Sequence, residues 1–287
     1  MMTRRNLLKT LGGASALATH SHLWAAGHLA WDKPIGLEIY TVRDQFAKDP
    51  EETLKRAAAI GYKEVEFSPS LKPEVMNSSL RDAGLSAVSC YIDSPKTVDA
   101  WKKAVDDVKQ YEIRYVVVGD NPRIDFDAWK RRADLYNQCG KIAQDAGMQF
   151  CYHAHYNEYA RQDGTSGYDI MLSRCDPTML KMEMDIFWAT YAGVDPLHYW
   201  RLYPGRFPLL HVKDLYKNVA VNPHQDPPAN PNPFAPVGQG KIDWARLFAH
   251  VGEAGTKHIF VEQDICNMPP LEAIKTSFDY LKSLRVS

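Results

Sequence analysis

Short apolar runs recur along the chain at fairly even intervals. There are eight of them, each four to six residues long and often rich in β-branched or aromatic side chains. This pattern is typical of buried strands in a parallel sheet. The predicted strands are residues 35–40, 64–67, 86–91, 115–119, 148–153, 180–184, 209–212 and 258–261.

Amphipathic segments lie between these runs, and several of them end at a glycine. Residues 50–60 carry their apolar side chains on one side and are followed by Gly61, a residue suited to the C-cap of a helix. Alternating strands and helices imply a parallel sheet with right-handed crossovers. Further helices with a glycine at or just beyond the end are predicted at residues 72–83, 125–146 and 243–251.

Eight strands with helices between them predict a (β/α)₈ barrel, the TIM-barrel fold, rather than an open doubly wound sheet. No Gly-x-Gly-x-x-Gly motif follows the first strand and the chain has no Walker loop, so the usual marks of nucleotide-binding folds are missing. A length of 287 residues suits one barrel of about 250 residues or two ordinary domains. Because no linker divides the chain, we predict that residues 27–287 form a single catalytic domain.

The first 26 residues have the pattern of an export signal. Arg4 and Arg5 form a twin-arginine pair, a mildly apolar stretch follows at residues 11–18, and Ala25 and Ala26 offer a cleavage point. This pattern resembles a bacterial twin-arginine signal peptide. We therefore predict that residues 1–26 are a signal peptide and that the mature protein works in the periplasm.

Charge and hydropathy exclude several classes of partner. The chain has 34 basic and 35 acidic side chains and a formal charge of −1, which gives no field for binding nucleic acid. No apolar run reaches the roughly 18 residues of a membrane span, so no membrane insertion is expected for the mature form. The five cysteines include no Cys-x-x-Cys pair, which excludes a zinc knuckle.

Histidines and carboxylates follow the predicted strands at the points where these strands end. Catalytic groups of TIM barrels lie at the carboxyl ends of the strands, and such groups are costly to bury unless they are paired or bind a metal. The side chains in question are Glu66 on strand 2; His153, His155 and Glu158 on strand 5; Glu183, Asp185 and Trp188 on strand 6; His211, Lys213 and Asp214 on strand 7; and Glu262 and Asp264 on strand 8.

A series of motifs spans the chain after the leader. They are Gly-Leu-Glu-Ile-Tyr-Thr-Val-Arg (36–43), Gly-Tyr-Lys-Glu-Val-Glu (61–66), His-Ala-His-Tyr-Asn-Glu-Tyr (153–159), Glu-Met-Asp-Ile-Phe-Trp (183–188), His-Val-Lys-Asp (211–214), Val-Gly-Gln-Gly-Lys-Ile-Asp-Trp (237–244) and Val-Glu-Gln-Asp (261–264). In this order they resemble the xylose isomerase-like barrel family of sugar phosphate isomerases and epimerases. The leader resembles that of the exported subgroup.

The resemblance implies one divalent metal ion. Matched by motif, its ligands are Glu158, Asp185, His211 and Glu262. An oxygen-rich set with one imidazole suits Mn²⁺ first, with Mg²⁺, Co²⁺, Fe²⁺ or Zn²⁺ as alternatives. His153 or His155 is the alternative ligand on the fifth strand.

The resemblance also implies a sugar isomerase or epimerase that works through proton transfer beside a carbonyl group and an enediolate intermediate. Glu158 and Glu262 would remove and return the proton, His153 or His155 would donate to the substrate oxygen, and Lys213 would neutralise the oxyanion or pair with Asp214 or another carboxylate. The alternatives are a lyase or hydrolase of glycoside derivatives at the same site and a non-catalytic sugar-binding barrel.

A multi-zinc nuclease would need a basic face for DNA, and the formal charge of −1 argues against one. Family barrels also allow a homo-oligomer.

The predicted substrate is an unphosphorylated sugar or glycoside derivative, because the chain has no obvious phosphate cradle. The residues expected to bind it are Glu38, Glu66, His155, Trp188 and Gln239. Glu38 stands where the family usually has a neutral residue, and Gln239 stands where it often has Glu.

One irregular stretch interrupts the pattern. Residues 217–240 follow the seventh strand and include six prolines between Pro223 and Pro236, so they form a long loop on the catalytic face. This Pro-rich loop is either a decorative insertion or a lid or subunit contact.

Overall fold

The computed structural model describes residues 27–286. The predicted signal peptide, residues 1–26, lies outside the described residues. Within the described part of the chain, no helix is both long and apolar enough to cross a membrane.

Eight parallel strands close into a barrel, which confirms the predicted TIM-barrel fold. The closure is made by β8 and β1, where Phe260 lies opposite Gly36. Four strands have the predicted bounds, whereas β1 is shorter because the chain turns into the 3₁₀ helix Ile39–Val42. The strands are β1 (Gly36–Glu38), β2 (Glu64–Phe67), β3 (Ser86–Tyr91), β4 (Tyr115–Val118), β5 (Gln149–Ala154), β6 (Leu180–Asp185), β7 (Leu209–Val212) and β8 (His258–Val261).

Helices connect the strands and surround the barrel. The predicted helix 243–251 is divided into two at Ala249 and His250. The helices are α1 (Arg43–Lys48), α2 (Pro50–Ile60), α3 (Pro73–Ala83), α4 (Val98–Val108), α5 (Phe126–Asp145), α6 (Gly167–Arg174), α7 (Ile186–Tyr191), α8 (Pro196–Leu202), α9 (Trp244–Phe248), α10 (Val251–Ala254) and α11 (Pro270–Ser283), with further 3₁₀ turns at Lys109–Tyr111 and Asn157–Tyr159.

Local sequence explains where the well-predicted helix α2 begins and ends. The Asp49 carboxylate accepts a hydrogen bond from the backbone N–H of Glu52 (3.0 Å), and Pro50 occupies the first turn, where its missing N–H costs nothing. The helix ends at Gly61, whose φ of +128° disfavours any side chain. The capping pattern therefore fixes both ends of this element.

Three short antiparallel strand pairs lie outside the barrel. His28–Leu29 pairs with Arg285–Val286 and joins the two ends of the described chain. Asp214–Leu215 pairs with Phe234–Ala235, and this pair brackets most of the Pro-rich loop. The third pair, residues 161–162 with 165–166, is a hairpin after β5.

The barrel interior changes from apolar to polar along the strands. A separate cluster of buried apolar side chains fills the interior below the polar groups; its members are Val88, Val117, Cys151, Leu209 and Phe260. Side chains two residues apart on a strand point to the same face. Two residues beyond three of these apolar positions, the sequence has His153, His211 and Glu262. A polar layer therefore lies directly above the apolar one.

Candidate metal centre

His211 on β7 lies at the centre of a buried cluster of metal-ligating side chains. It belongs to three groups whose donor atoms lie within 4.8 Å of one another. All members of these groups are buried. The groups are His153–Glu183–His211, Glu38–Glu66–His211 and Asp185–His211–Glu262.

The third group contains three of the four predicted ligands. Nδ1 of His211 lies 2.8 Å from Oε2 of Glu262 and 3.8 Å from Oδ2 of Asp185. The other Asp185 oxygen caps α7 by accepting a hydrogen bond from the Trp188 N–H (3.0 Å). Oδ2 of Asp185 is left buried without a hydrogen bond. This oxygen, the Glu262 carboxylate and the His211 imidazole lie close together, and such a donor set fits a divalent ion.

Lys213 brings a positive charge to the same oxygens. Its ammonium nitrogen lies 2.7 Å from Oε2 of Glu262, 3.1 Å from Oδ2 of Asp185 and 2.7 Å from Oδ1 of Asp264. The contact with Asp185 is an ion pair without hydrogen-bond alignment. Lys213 therefore pairs with these three carboxylates and not with Asp214, whose side chain points to the opposite side of the chain.

The charges of the cluster determine which groups are ionised. Burial would raise the pKa of Glu262, but Lys213 and His211 outweigh burial and hold this pKa well below its usual range. Burial would lower the pKa of Lys213, but Asp185, Asp264 and Glu262 raise it well above its usual range. Glu262 and Lys213 therefore face each other as an ionised pair at neutral pH.

The structure does not bring Glu158 into this cluster. Glu158 lies on the 3₁₀ helix Asn157–Tyr159, and its Oε1 accepts hydrogen bonds from Tyr152 Oη (2.9 Å) and from the backbone N–H of His155 (3.1 Å). The chain turns back immediately after β5, so a side chain three residues beyond His155 folds over the turn. The predicted roles of Glu158 as metal ligand and opposed base do not match this position; it holds the turn instead.

His153 is the β5 residue that lies closest to the predicted ligands. Its Nδ1 is 3.0 Å from Oε2 of Glu183, and its Nε2 is 3.8 Å from Oδ2 of Asp185. Glu183 also accepts a hydrogen bond from Tyr91 Oη (2.7 Å). The sequence alternative of a histidine on the fifth strand agrees with this arrangement. Glu183 was noted at the end of strand 6 but given no role, and Tyr91 was not predicted.

Glu66 lies inside the cluster and not on the cavity surface. Its Oε1 is 2.5 Å from Nε2 of His211, and its Oε2 accepts a hydrogen bond from Ser89. Burial and the nearby Glu183 raise the pKa of Glu66 to about 8. The structure therefore places Glu66 behind His211, where it fixes the ring, and not in the predicted contact with substrate.

A cavity of about 600 Å³ opens above the cluster at the carboxyl ends of the strands. Its lining includes the predicted substrate residues Glu38, His155 and Trp188, together with Lys213 and Glu262. Gln239, by contrast, is exposed and does not line this cavity. The prediction that Gln239 binds substrate is therefore not supported by its position.

The Pro-rich loop forms one side of this cavity. Asp226, Phe234 and several of the prolines line it. Tyr156 Oη donates a hydrogen bond to Asp226 (2.8 Å), and Tyr191 Oη donates one to the carbonyl of Gln225 (2.9 Å). The loop thus contributes to the cavity wall and is attached to the barrel by tyrosines.

Glu158→Gln is expected to change the pH dependence of stability. Burial raises the pKa of Glu158 to about 7 from an ordinary value of 4.5, although hydrogen bonds from the His155 and Glu158 backbones and from Tyr152 oppose this rise. Folding therefore favours the protonated form of Glu158. The stability that this group contributes to the folded protein is fully present below pH 4.5 and is lost as the pH rises through about 7. Glutamine cannot ionise, so the variant should gain free energy of unfolding relative to wild type between pH 5 and 8, as measured by urea denaturation.

A matched control for this experiment is Glu74→Gln, which changes an exposed carboxylate at the start of α3. We expect this control to follow the wild-type pH dependence. We also expect Glu158→Gln to bind Mn²⁺ as wild type does. A loss of Mn²⁺ affinity in Glu158→Gln would restore Glu158 as a ligand and contradict the role in the turn.

Comparisons with known proteins agree with this fold. An inosose dehydratase of Lacticaseibacillus casei is 27% identical over 173 residues, which cover 58% of this chain and 57% of that protein. A sugar phosphate isomerase/epimerase structure from Parabacteroides distasonis is 24% identical with a TM-score of 0.76, covering 88% of this chain and 94% of that one. The structure of the IOLI protein with a bound zinc atom has 13% identity and a TM-score of 0.66, covering 86% and 96% of the two chains.

The match at the level of the family extends over most of the chain. Residues 54–284 match the profile of the xylose isomerase-like TIM barrel. This range includes seven of the eight barrel strands and all three residues of the group Asp185–His211–Glu262. The chain therefore belongs to the xylose isomerase-like TIM barrel family.

Proposed function

We propose that the protein is a divalent-metal-dependent enzyme that transfers a proton beside the carbonyl group of a sugar or keto-sugar. The observation that carries this proposal is the convergence of Asp185, His211 and Glu262, next to the Lys213 ammonium, beneath an open cavity. The IOLI protein, which has the same fold, is described with a bound zinc atom, and this supports a metal ion in the present chain. Among divalent ions, Mn²⁺ remains our first candidate for this donor set.

Each side chain has a chemical task that follows from its position. A bound divalent ion would polarise the substrate carbonyl and stabilise the negative charge that develops as the neighbouring C–H loses its proton. Glu262 is ionised and lines the cavity, so it is positioned to accept that proton. Lys213 stabilises anionic charge in the same place.

His155 supplies a second proton carrier. Burial, followed by the nearby His153 and Lys213, lowers the pKa of His155 well below its usual range, so the ring is neutral. Its Nδ1 has no hydrogen-bond partner among the described residues, and the ring lies at the cavity wall beside Trp188, with the two ring centroids 5.4 Å apart. A neutral imidazole can accept or relay a proton at pH 7.

Return of the proton to carbon gives an isomerase or epimerase, and loss of a β-hydroxyl group gives a lyase. Inversion of a carbon centre needs proton carriers on both sides of the substrate. Glu158, the predicted second carboxylate base, does not reach the cavity, which leaves His155 as the candidate for the second carrier. The relatives named inosose dehydratase favour dehydration as a second candidate function. Both outcomes start from the same proton removal by Glu262.

The test is metal-dependent exchange of substrate hydrogen with solvent. Protein stripped of metal and then reloaded with Mn²⁺ is incubated in D₂O with a panel of keto-sugars and the keto-polyol inosose. We expect deuterium to enter the carbon beside the carbonyl only when Mn²⁺ is present. Mass spectrometry then distinguishes an isomer from a product that has lost water. Sugar binding without exchange for any member of the panel would instead support a non-catalytic sugar-binding barrel.

A further inference from the structure

We propose that a second cavity beside the metal centre binds an additional sugar unit, so that the substrate is a disaccharide or other sugar-linked glycoside and not a free monosaccharide. This inference rests on the proposed function for the identity of the reacting sugar. The second cavity, called here the outer groove, has a volume of about 600 Å³. The residues that line it and not the first cavity include Ile92, Asp93, Ser94, Asp107, Tyr111 and Asp120.

The outer groove adjoins the cavity above the metal centre. Both are lined by Ser68, Tyr91 and Gly119, which lie at or just beyond the ends of β2, β3 and β4. The first cavity alone has the volume of an ordinary small-molecule site. The groove therefore provides room beyond what one sugar ring requires, directly beside the cavity above the metal centre.

The boundary between the two cavities is formed in part by Tyr91, which lines both. Its hydroxyl donates to Oε2 of Glu183 (2.7 Å), which ties the ring to the metal-ligating cluster. A Cβ atom on Gly119 would lie 2.7 Å from Cε1 of Tyr91, so the ring can occupy this place only because residue 119 is glycine. The ring is thus held at the junction, where one face or edge can contact the C–H groups of a sugar.

The polar groups of the outer groove suit neutral hydroxyl groups. Asp93 is exposed and makes no side-chain hydrogen bond or ion pair with any other residue that the structure describes. The Asp120 carboxylate is held by Arg132, with N–O distances of 2.6 and 2.8 Å. Carboxylate oxygens are strong acceptors for sugar hydroxyls.

The same groups argue against a phosphate and against an apolar aglycone. Three carboxylates lie along the groove: Asp107 pairs with Lys103 and Asp120 with Arg132, whereas Asp93 has no cationic partner among the described residues. A phosphate beside Asp93 would be repelled by its charge. An apolar ring would leave the hydrogen-bonding capacity of Asp93 and Ser94 unused, and a second sugar ring would use it.

The experiment compares ligand binding by calorimetry to the full-length protein in the presence of Mn²⁺. The probes are D-glucose, maltose, cellobiose and phenyl β-D-glucopyranoside. We expect at least one disaccharide to bind ten-fold or more tightly than both D-glucose and the phenyl glucoside. Asp93→Ala should remove most of this gain and leave D-glucose binding unchanged.

The matched control is Asp99→Ala, which removes an exposed carboxylate in the first turn of α4, outside the groove. This variant should keep the full gain for the disaccharide. Disaccharides that bind no more tightly than D-glucose, an equal gain for the phenyl glucoside, or a gain that survives in Asp93→Ala would each overturn the proposal. Because this readout is binding, it succeeds or fails separately from the hydrogen-exchange test of the proposed function.

Discussion

Glu262→Gln is expected to lower the turnover of the keto-sugar substrate by about 10²- to 10⁴-fold, the range typical for loss of a general base. The pKa of Glu262 is held well below its usual range by Lys213 and His211, against the effect of burial, so the carboxylate is ionised at neutral pH. Glutamine keeps the size and one oxygen of the side chain but cannot accept a proton. The measurement is the rate of deuterium incorporation beside the carbonyl group.

This variant needs a metal measurement beside the kinetic one, because Glu262 is also a candidate ligand. The rates are therefore compared at saturating Mn²⁺, with the affinity for Mn²⁺ determined separately. Glu272→Gln, an exposed position in the first turn of α11, is the matched control and should keep the wild-type rate. If Glu262→Gln exchanges hydrogen within a few-fold of wild type while its metal site is full, Glu262 is not the base.

Asp214→Ala is expected to cost about 3–5 kcal/mol in free energy of unfolding, because it leaves several buried hydrogen-bond donors without a partner and each such donor costs about 1–3 kcal/mol. The Asp214 side chain is fully buried and accepts five hydrogen bonds. Alanine would leave these donors without a partner. The donors are the backbone N–H groups of Leu215 (2.8 Å), Gly238 (2.9 Å), Gly240 (3.1 Å) and Ile242 (3.3 Å) and the indole N–H of Trp244 (2.9 Å).

The control for this prediction is Asp243→Ala, which removes an ordinary helix cap. The exposed Asp243 carboxylate accepts one hydrogen bond, from the backbone N–H of Arg246 (3.0 Å) at the start of α9. Loss of such a cap costs about 1 kcal/mol. Urea denaturation of both variants gives the comparison. Equal losses for Asp214→Ala and Asp243→Ala would show that the five hydrogen bonds do not stabilise the fold as we infer.

The strand positions could be predicted because apolar runs of strand length alternate with capped amphipathic helices. At β2, β3, β7 and β8 the predicted and observed bounds agree. The error at β1 has a local cause, since the Glu38 side chain accepts a hydrogen bond from the backbone N–H of Tyr40 (3.1 Å) and starts a 3₁₀ turn. Such a side-chain contact is not visible in hydropathy.

The polar layer could have been predicted more completely from the two-residue period of a strand. Glu183 and Asp185 are two residues apart on β6, so both point to the same face. The same spacing separates Glu262 from Asp264, and Lys213 pairs with both of these residues. Glu183 and Asp264 were noted at the strand ends, but only one residue of each pair was given a role in the predicted site.

Glu158 and Gln239 were misplaced for a different reason. Each follows a barrel strand in sequence but lies outside the strand, where the two-residue period no longer says where a side chain points. The turn after β5 directs Glu158 towards the His155 amide, and the backbone around Gln239 is held by Asp214 through Gly238 and Gly240. Only the path of the backbone decides these two positions.

The strand pair Asp214–Leu215 with Phe234–Ala235 holds the two ends of the Pro-rich loop together, so this loop is a cassette: a segment that can be replaced without moving its ends. The polypeptide leaves the barrel and returns to it through adjacent, paired strands, so the ends of the segment between them stay in place whatever its length. That segment contributes Asp226 and several prolines to the cavity wall and no residue to the candidate metal groups. Evolution, or a protein engineer, can therefore reshape the substrate-facing wall through this cassette while the cation-binding chemistry stays constant.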